Sequence, residues 1–293
     1  MLTDEVDDGN EIKALISLVD EPDEAVYAEI FDKIIKTGDK AIPYLETAWE
    51  NSLQPNIQKR IENITHTIQF AAITKELADW VKGEMDLLEG AIIIARYHYP
   101  HLKEDEIHYA LNKIRKEIWI ELNDNLTALE QIKVFNHVFY EIIGFNGNID
   151  NYHDPQNSFI NFVLNSKKGN PLSLGIVYII LAQRLELPVY GVNLPEHFIL
   201  AYTAKSVDPT TLLINDKNVL FYINAFSKGL VFSHKEVEEF VKKLDLEPIP
   251  SYFNPCNNKE IILRMLNNLI VSYDKAGDNE KKSEIEHLKE ILI

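Results

Sequence analysis

The sequence predicts an α+β fold in which a long helical segment precedes a small antiparallel sheet. Three observations carry this. Apolar residues recur at helical spacing over most of residues 10 to 143. The run from Gly169 to Pro188 reads as a turn, a capped and almost wholly apolar helix, and an abrupt stop. After Pro188 come short alternating apolar runs bounded by Asn, Asp and Lys, the texture of half-buried strands joined by turns. Helices followed by a group of strands form the α+β pattern.

Residues 10 to 83 read as helices and little else. Ile12, Leu15, Ile16 and Val19 share a face, as do Val26, Ile30, Phe31, Ile34 and Ile35, with Gly38 as the stop. Ala41, Ile42, Leu45 and Trp49 follow, with Asp39 as the expected cap and Pro43 in the first turn. A break over Asn51 to Asn56 separates these from Ile57, Ile61, Ile64 and Ile68. Short helices joined by polar turns predict a HEAT-like array without a strict period. Such an array serves as a binding surface or as a helical cap, and the sequence leaves both open.

The helical texture continues to residue 143. Asp86-Leu-Leu-Glu-Gly-Ala opens an apolar helix, with Gly90 as a close-packing point and Pro100 beyond its end. Glu104 to Leu122 is amphipathic. Ala128 to Ile143 places Phe135, Val138, Phe139 and Ile142 on one face, and Gly144 stops it. His137 lies among apolar neighbours and is expected to be packed. From Asn146 to Asn157 the frequent Gly, Asn, Asp and Pro predict a surface loop, followed by a helix from Ser158 to Ser166.

In the next helix Asn170 is the N-cap, Pro171 takes the first helical position and Ser173 the third. The strands are Val189 to Leu194, Phe198 to Tyr202, Leu212-Leu-Ile and Val219 to Asn224, with a hairpin turn through Ile214-Asn-Asp-Lys-Asn. Ser233 and Glu236 form the capping box of a helix reaching Leu244. Pro248, Pro250 and Pro255 predict a stiff linker. Lys259 to Ile293 is a helical pair around Gly277-Asp278, a TPR-like hairpin. The expected domains are 1–83, a helical repeat-like segment, 84–247, the core, and 248–293, the hairpin.

The totals narrow the function. The chain of 293 residues has 29 basic and 46 acidic side chains, a formal charge of −17. A nucleic-acid binder needs a basic surface to displace counterions, so none is expected as a partner. The same charge works against docking on anionic lipid, and no apolar run approaches the ~18 residues of a membrane span. The start Met-Leu-Thr-Asp-Glu-Val-Asp-Asp has neither the basic nor the apolar part of a secretory signal. Cys256 is the one cysteine, so no internal disulfide forms, which suits a cytoplasmic location. It is expected to be a surface or interface thiol. No Gly-rich phosphate loop is present. His98 and His101 are separated by Pro100, which works against helical metal-ligand geometry, and Tyr152-His-Asp is a loop cluster. No cofactor and no metal is expected.

Three polar positions in the α+β segment could carry chemistry. Ser173 opens the apolar helix, His197 starts the strand Phe198 to Tyr202, and Asn224 closes the strand from Val219. A nucleophile at a helix start, a histidine on one strand and an orienting side chain on the next compose a triad of the cysteine-protease kind. Ser173 equally suits a plain helix-start hydroxyl, and His197 a strand histidine satisfied by Asn224.

Asp86-Leu-Leu-Glu-Gly-Ala, Gly169-Asn-Pro-Leu-Ser-Leu, Leu187-Pro-Val-Tyr-Gly-Val-Asn-Leu-Pro-Glu-His-Phe and Tyr222-Ile-Asn-Ala-Phe-Ser-Lys-Gly-Leu stand in order over more than half the chain. On these motifs residues 86 to 244 resemble the SirB1-type transglutaminase-like proteins, a branch of the transglutaminase/papain-like fold. The resemblance implies a papain-like core with a TPR-like tail. In active transglutaminase-like enzymes the three positions hold Cys, His and Asp; Ser173, His197 and Asn224 stand at their places here. A helix dipole supplies ~1 kcal/mol, enough to help a thiolate but not to ionise a serine. Serine must pass its proton to His, whose cation gains from a carboxylate that Asn224 lacks. The expectation is therefore a non-catalytic module that binds a protein or peptide partner, with a weak hydrolase or acyltransferase, Ser173 as nucleophile and His197 as base, as the alternative.

Overall fold

A computed structural model of the chain describes residues 2–204 and 218–293, with side chains from Gly9 onward. The expected Leu212-Leu-Ile strand and the Ile214-Asn-Asp-Lys-Asn turn, Asn218 apart, lie outside the described residues. The chain divides into two compact units, Met1–Glu76 and Leu77–Ile293.

The first unit holds α1 (Leu2–Ile16), α2 (Glu24–Thr37), α3 (Ile42–Asn51) and most of α4 (Pro55–Lys82). Its core is the set the spacing selects, including Ile12, Val19, Ile30, Ile34, Leu45, Ile61, Ile64 and Ile68. Asp23 caps α2 by accepting from the Ala25 and Val26 N–H groups. Gly38 ends it at φ 62°, a backbone conformation suited to glycine. Asp39 does not cap α3. It lies in a 3₁₀ turn, Gly38–Ala41, that enters α3 with Ala41 already helical at φ −75°, ψ −25°. No extended residue remains there to act as an N-cap. Arg60 donates to the carbonyls of Val19 and Glu21 and pairs with Glu24 at 2.6 Å, fixing the α1–α2 connection.

The second unit begins with α5 (Leu87–His98), α6 (Glu104–Glu121) and α7 (Ala128–Asn136). Gly90 on α5 is a close-approach point. A Cβ there would lie 2.9 Å from the Trp80 ring and 3.0 Å from Ile262. The Trp80 indole N–H in turn donates to the Asp86 carbonyl at 2.7 Å, which fixes the ring.

After α7 the helix widens into a π turn, His137–Ile142. The extra residue per turn alters which side chains face inward. Val138, Phe139 and Tyr140 are all buried, while Ile142, expected inside, is 56% exposed. His137, expected to be packed, is on the surface with its Nδ1 3.0 Å from Glu141.

Next come β1 (Asn146–Gly147), α8 (Ile160–Ser166), β2 (Lys168–Gly169), parallel to β1, and α9 (Pro171–Gln183). The sheet follows as β3 (Val189–Leu194), β4 (His197–Thr203), β5 (Val219–Asn224) and β6 (Leu230–Phe232), antiparallel in that order. Three residues are too few for β6 to show an alternation in the sequence. α10 (His234–Lys243) starts with the expected Ser233–Glu236 capping box. α11 (Asn258–Ala276) and α12 (Asn279–Glu290) form a hairpin about Gly277, at φ 74°.

The Pro-rich stretch before α11 packs against the protein. The Phe253 carbonyl accepts from the buried Tyr222 hydroxyl, and the Cys256 N–H donates to the Gly191 carbonyl at 2.8 Å. Cys256 is therefore 7% exposed rather than a surface thiol. Burial, then the nearby Glu260 carboxylate, push the thiol well above its usual range.

Alternation divides the sheet's two faces. Phe198 and Leu200 meet α9 at Gly175. Val192, Leu194, Ile199, Ala201 and Tyr222 face the other way and pack with Val237 and Val241 of α10. The two layers on the sheet are thus α9 and α10.

Gly90→Ala should destabilise the fold by about 1–3 kcal/mol, because the added methyl overpacks a contact against a fixed indole. Chemical denaturation would measure it; unchanged stability would show that the α5–Trp80–Ile262 contact has slack.

Candidate functional site

The start of α9 is built from reciprocal hydrogen bonds. The Ser173 N–H donates to Asn170 Oδ1 at 2.9 Å, and the Asn170 N–H donates to Ser173 Oγ at 3.1 Å. That is a capping box with Asn and Ser in its two roles. The Ser173 hydroxyl also donates to the Asn170 carbonyl at 3.3 Å. Asn170 Nδ2 donates to Ser158 Oγ, and nearby Asn148 donates to Asn157, so a buried polar cluster surrounds the helix entry. Ser173 itself is 4% exposed. Gly169 is required beside it, since a Cβ there would sit 2.6 Å from Ser173 Oγ.

The helix sets where the hydroxyl points. Gly175, two residues on, touches Phe198 on the sheet. At ~100° per residue Ser173 lies ~200° around the helix from that contact, turned from the sheet. Its neighbours are Gly169 and Asn170, beside α8.

His197 lies elsewhere. It pairs with Leu194 across β3 and β4, so the two share a sheet face, and Leu194 packs with the α10 cluster. The imidazole is edge-on to Phe240 of α10, with ring centres 4.8 Å apart. Asn224 is on the same face, but its Oδ1 accepts the N–H groups of Phe226 and Ser227, both at 3.0 Å. It shapes the β5–β6 turn as an Asx turn does. Leu194, His197, Ile199, Asn224, Val237 and Phe240 line a cleft of about 140 Å³. The structure thus brings His197 and Asn224 together and leaves Ser173 on the other side of the sheet.

A second cleft of about 160 Å³ opens where α9 begins, with Pro171, Leu172, Phe198, His153 and Arg264 in its walls. Arg264 was missed from the sequence. It donates to the Leu194 carbonyl at 3.0 Å and lies 5.9 Å from the centre of the Phe198 ring. Burial lowers its pKa, with Cys256 opposing that. The available signal was an arginine set into the apolar run Ile261-Ile-Leu-Arg-Met-Leu. His153, in the wall of the same cleft, has its Nε2 3.0 Å from Lys275 Nζ. No group of three or more His, Cys, Asp or Glu side chains able to hold a metal occurs among the described residues. No helix among them is long and apolar enough to cross a membrane.

The family model described as the transglutaminase-like superfamily matches residues 105–267. A UPF0162 protein of Xylella fastidiosa (strain 9a5c) is 28% identical over 192 residues, 63% of this chain and 64% of that protein. A UPF0162 protein of Vibrio cholerae is 29% identical over 150 residues, 51% of this chain and 52% of its own length. The human F-box only protein 21 is 30% identical over 146 residues, half of this chain but 22% of that protein. The chain therefore spans less than two thirds of the length of these curated relatives. No solved structure matches at a comparable level.

Asn170→Ala should cost about 1–2 kcal/mol in denaturation, because it removes a cap whose partners are buried. Ser173→Cys should give a thiol that iodoacetamide modifies no faster than Cys256 in the folded protein, with both reacting on unfolding. Rapid modification of the new thiol alone would show that position 173 opens to a reactive cleft.

Proposed function

The chain belongs to the transglutaminase-like superfamily, and from that premise we propose that it is a non-catalytic module of the SirB1 type that binds a protein or peptide partner in the cytoplasm. Its flanks, HEAT-like over 1–83 and TPR-like over 248–293, supply contact surfaces. The cleft beside His197 and Phe240 receives an apolar side chain of the partner, with His197, Asn224 and Glu236 as the polar groups at its wall.

The observation that supports this most is the separation of Ser173 from His197 by the sheet. Ser173 Oγ is engaged with both the N–H and the carbonyl of Asn170, while His197 sits edge-on to Phe240. A serine nucleophile needs a base within hydrogen-bond reach of its hydroxyl. Asn224, spent on the N–H groups of Phe226 and Ser227, supplies no negative charge behind the imidazole. The competing reading, a weak hydrolase or acyltransferase, needs Ser173 and His197 to meet.

A serine-directed acylating probe separates the two. The expected result is no modification of Ser173 on the folded chain; modification that is abolished by His197→Ala would establish the hydrolase instead. For the binding role, a displayed peptide library selected on the full chain should yield ligands that lose at least tenfold in affinity with Phe240→Arg, which drives a charge into the cleft, and that are retained by Ser173→Ala. Ligands indifferent to Phe240→Arg would remove this cleft from the reading.

A further inference from the structure

The cleft where α9 begins holds an arginine that no carboxylate of the described residues pairs with. Arg264, Asn268 and Ser272 follow one another at intervals of four on α11, so they share one helix face, and all three line the cleft. One nitrogen of Arg264 is committed. Nη1 donates to the Leu194 carbonyl at 3.0 Å and reaches Asn193 Oδ1 at 3.4 Å. With its centre 5.9 Å from that of the Phe198 ring, the guanidinium is held from behind. Nε and Nη2 have no partner among the described residues, and neither is among their unpaired polar atoms shut off from solvent. The side chains of Asn268 and Ser272 are unpaired and open in the same sense, and both residues are half-buried.

A charge drawn partly out of water needs an opposite charge or further hydrogen bonds. The free edge of Arg264 offers two parallel donors, Nε–H and Nη2–H, at the spacing of the two oxygens of a carboxylate. A guanidinium has no acceptor atom, so a cation or a hydrogen-bond donor gains nothing from it. The surrounding charges set the size of the anion's own. Arg264 is in the wall, and Lys275 lies beside the wall residue His153. Glu196 is the one acidic residue of the wall among the described residues. Two positive charges against one negative leave an excess of one. A monoanion matches that excess, and a phosphate dianion goes beyond it.

We propose that this cleft binds a carboxylate, held by both oxygens on the Nε–Nη2 edge of Arg264, with the atoms next to it lying along Asn268 and Ser272. The row from Arg264 to Ser272 is ~12 Å long, which leaves a path beyond the carboxylate. The Asn268 carboxamide can both donate to and accept from an amide placed there. The ligand's source is a small free acid or the C-terminal end of a peptide. The cleft is on the α9 side of the sheet, away from His197 and Phe240, so the site stands whether or not a peptide binds beside α10.

N-acetylglycine, a carboxylate followed by an amide, is the probe, titrated into the full chain by calorimetry. It should bind saturably, with N-acetylglycinamide and inorganic phosphate at least tenfold weaker. Arg264→Lys keeps the charge and loses the paired donors, and should weaken the probe at least tenfold. Because Arg264 also holds the Leu194 carbonyl, Asn268→Asp is the second variant. Its side chain has no bond to lose, and a negative charge there should likewise weaken the probe at least tenfold. N-acetyl-trialanine with a free C-terminus separates the sources. Affinity at least tenfold above that of N-acetylglycine assigns the site to a peptide end, and no gain assigns it to a small acid; both uphold it. The proposal is overturned if N-acetylglycine does not saturate, if its amide or phosphate matches it, or if either variant binds it as the unmodified chain does.

Discussion

α9 is apolar around its whole circumference, and that single constraint organises the second unit. Eleven of its residues are buried, from Leu172 to Ala182 without a break. A helix of this kind must be covered on every side. The sheet covers one side through β3 and β4, and α5, α6, α8 and α11 pack against the rest. Its first N–H groups open into protein rather than water, so they need partners of their own. Asn170 Oδ1 takes the Ser173 N–H and Ser173 Oγ takes the Asn170 N–H, while Ser158 holds the Asn170 side chain in place. Ser173 is thus recruited by the burial of the helix it starts.

The same burial reaches the β5–β6 turn. The Tyr178 hydroxyl, in the middle of α9, donates to Asn136 Oδ1, and Asn136 Nδ2 donates to the Gly229 carbonyl at 2.9 Å. Tyr140, on the π turn, donates to the Ala225 carbonyl at 2.8 Å. Burial pushes both phenols far above the usual range, with each keeping its proton as a donor. Gly229, at φ 71°, permits the close approach, since a Cβ there would lie 2.2 Å from Asn136. The turn that Asn224 shapes is therefore clamped from α9 by way of α7 and the π turn, and the asparagine is part of that clamp.

Much of this was legible in the sequence, because it follows from local chemistry. Gly38, Gly144 and Gly277 end helices where their positions said they would, and Asn170, Ser233 and Gly90 have the roles their neighbours imply. Where the structure departs from the local reading, the causes are non-local. His137 and Ile142 were misplaced because a π turn breaks the 3.6-residue period on which the assignment of faces rests. Cys256 was misplaced because proline spacing reads as a linker, whether the segment is free or, as here, hydrogen-bonded along β3. Ser173, His197 and Asn224 were grouped by order along the chain. Order fixes which element a residue is on, but not which side of a sheet it faces; strand parity could have shown that His197 shares a side with Ile199 and opposes Phe198.

Parity also decides which obstacle to serine chemistry is the large one. Freeing the Ser173 hydroxyl from its box costs about 1 kcal/mol, roughly a fivefold change in population, which a working enzyme could tolerate. Bringing His197 to the α9 side is a different matter. Because side chains alternate, a one-residue slip of β4 that turned His197 over would also turn Phe198, Ile199, Leu200 and Ala201 over. Each large buried side chain there is worth about 1.5–3 kcal/mol of burial, and the slip would expel Phe198 from its contact with Gly175 as well. The packing that holds α9 in place therefore holds His197 away from it, and the capping bond on Ser173 is the minor part of that separation.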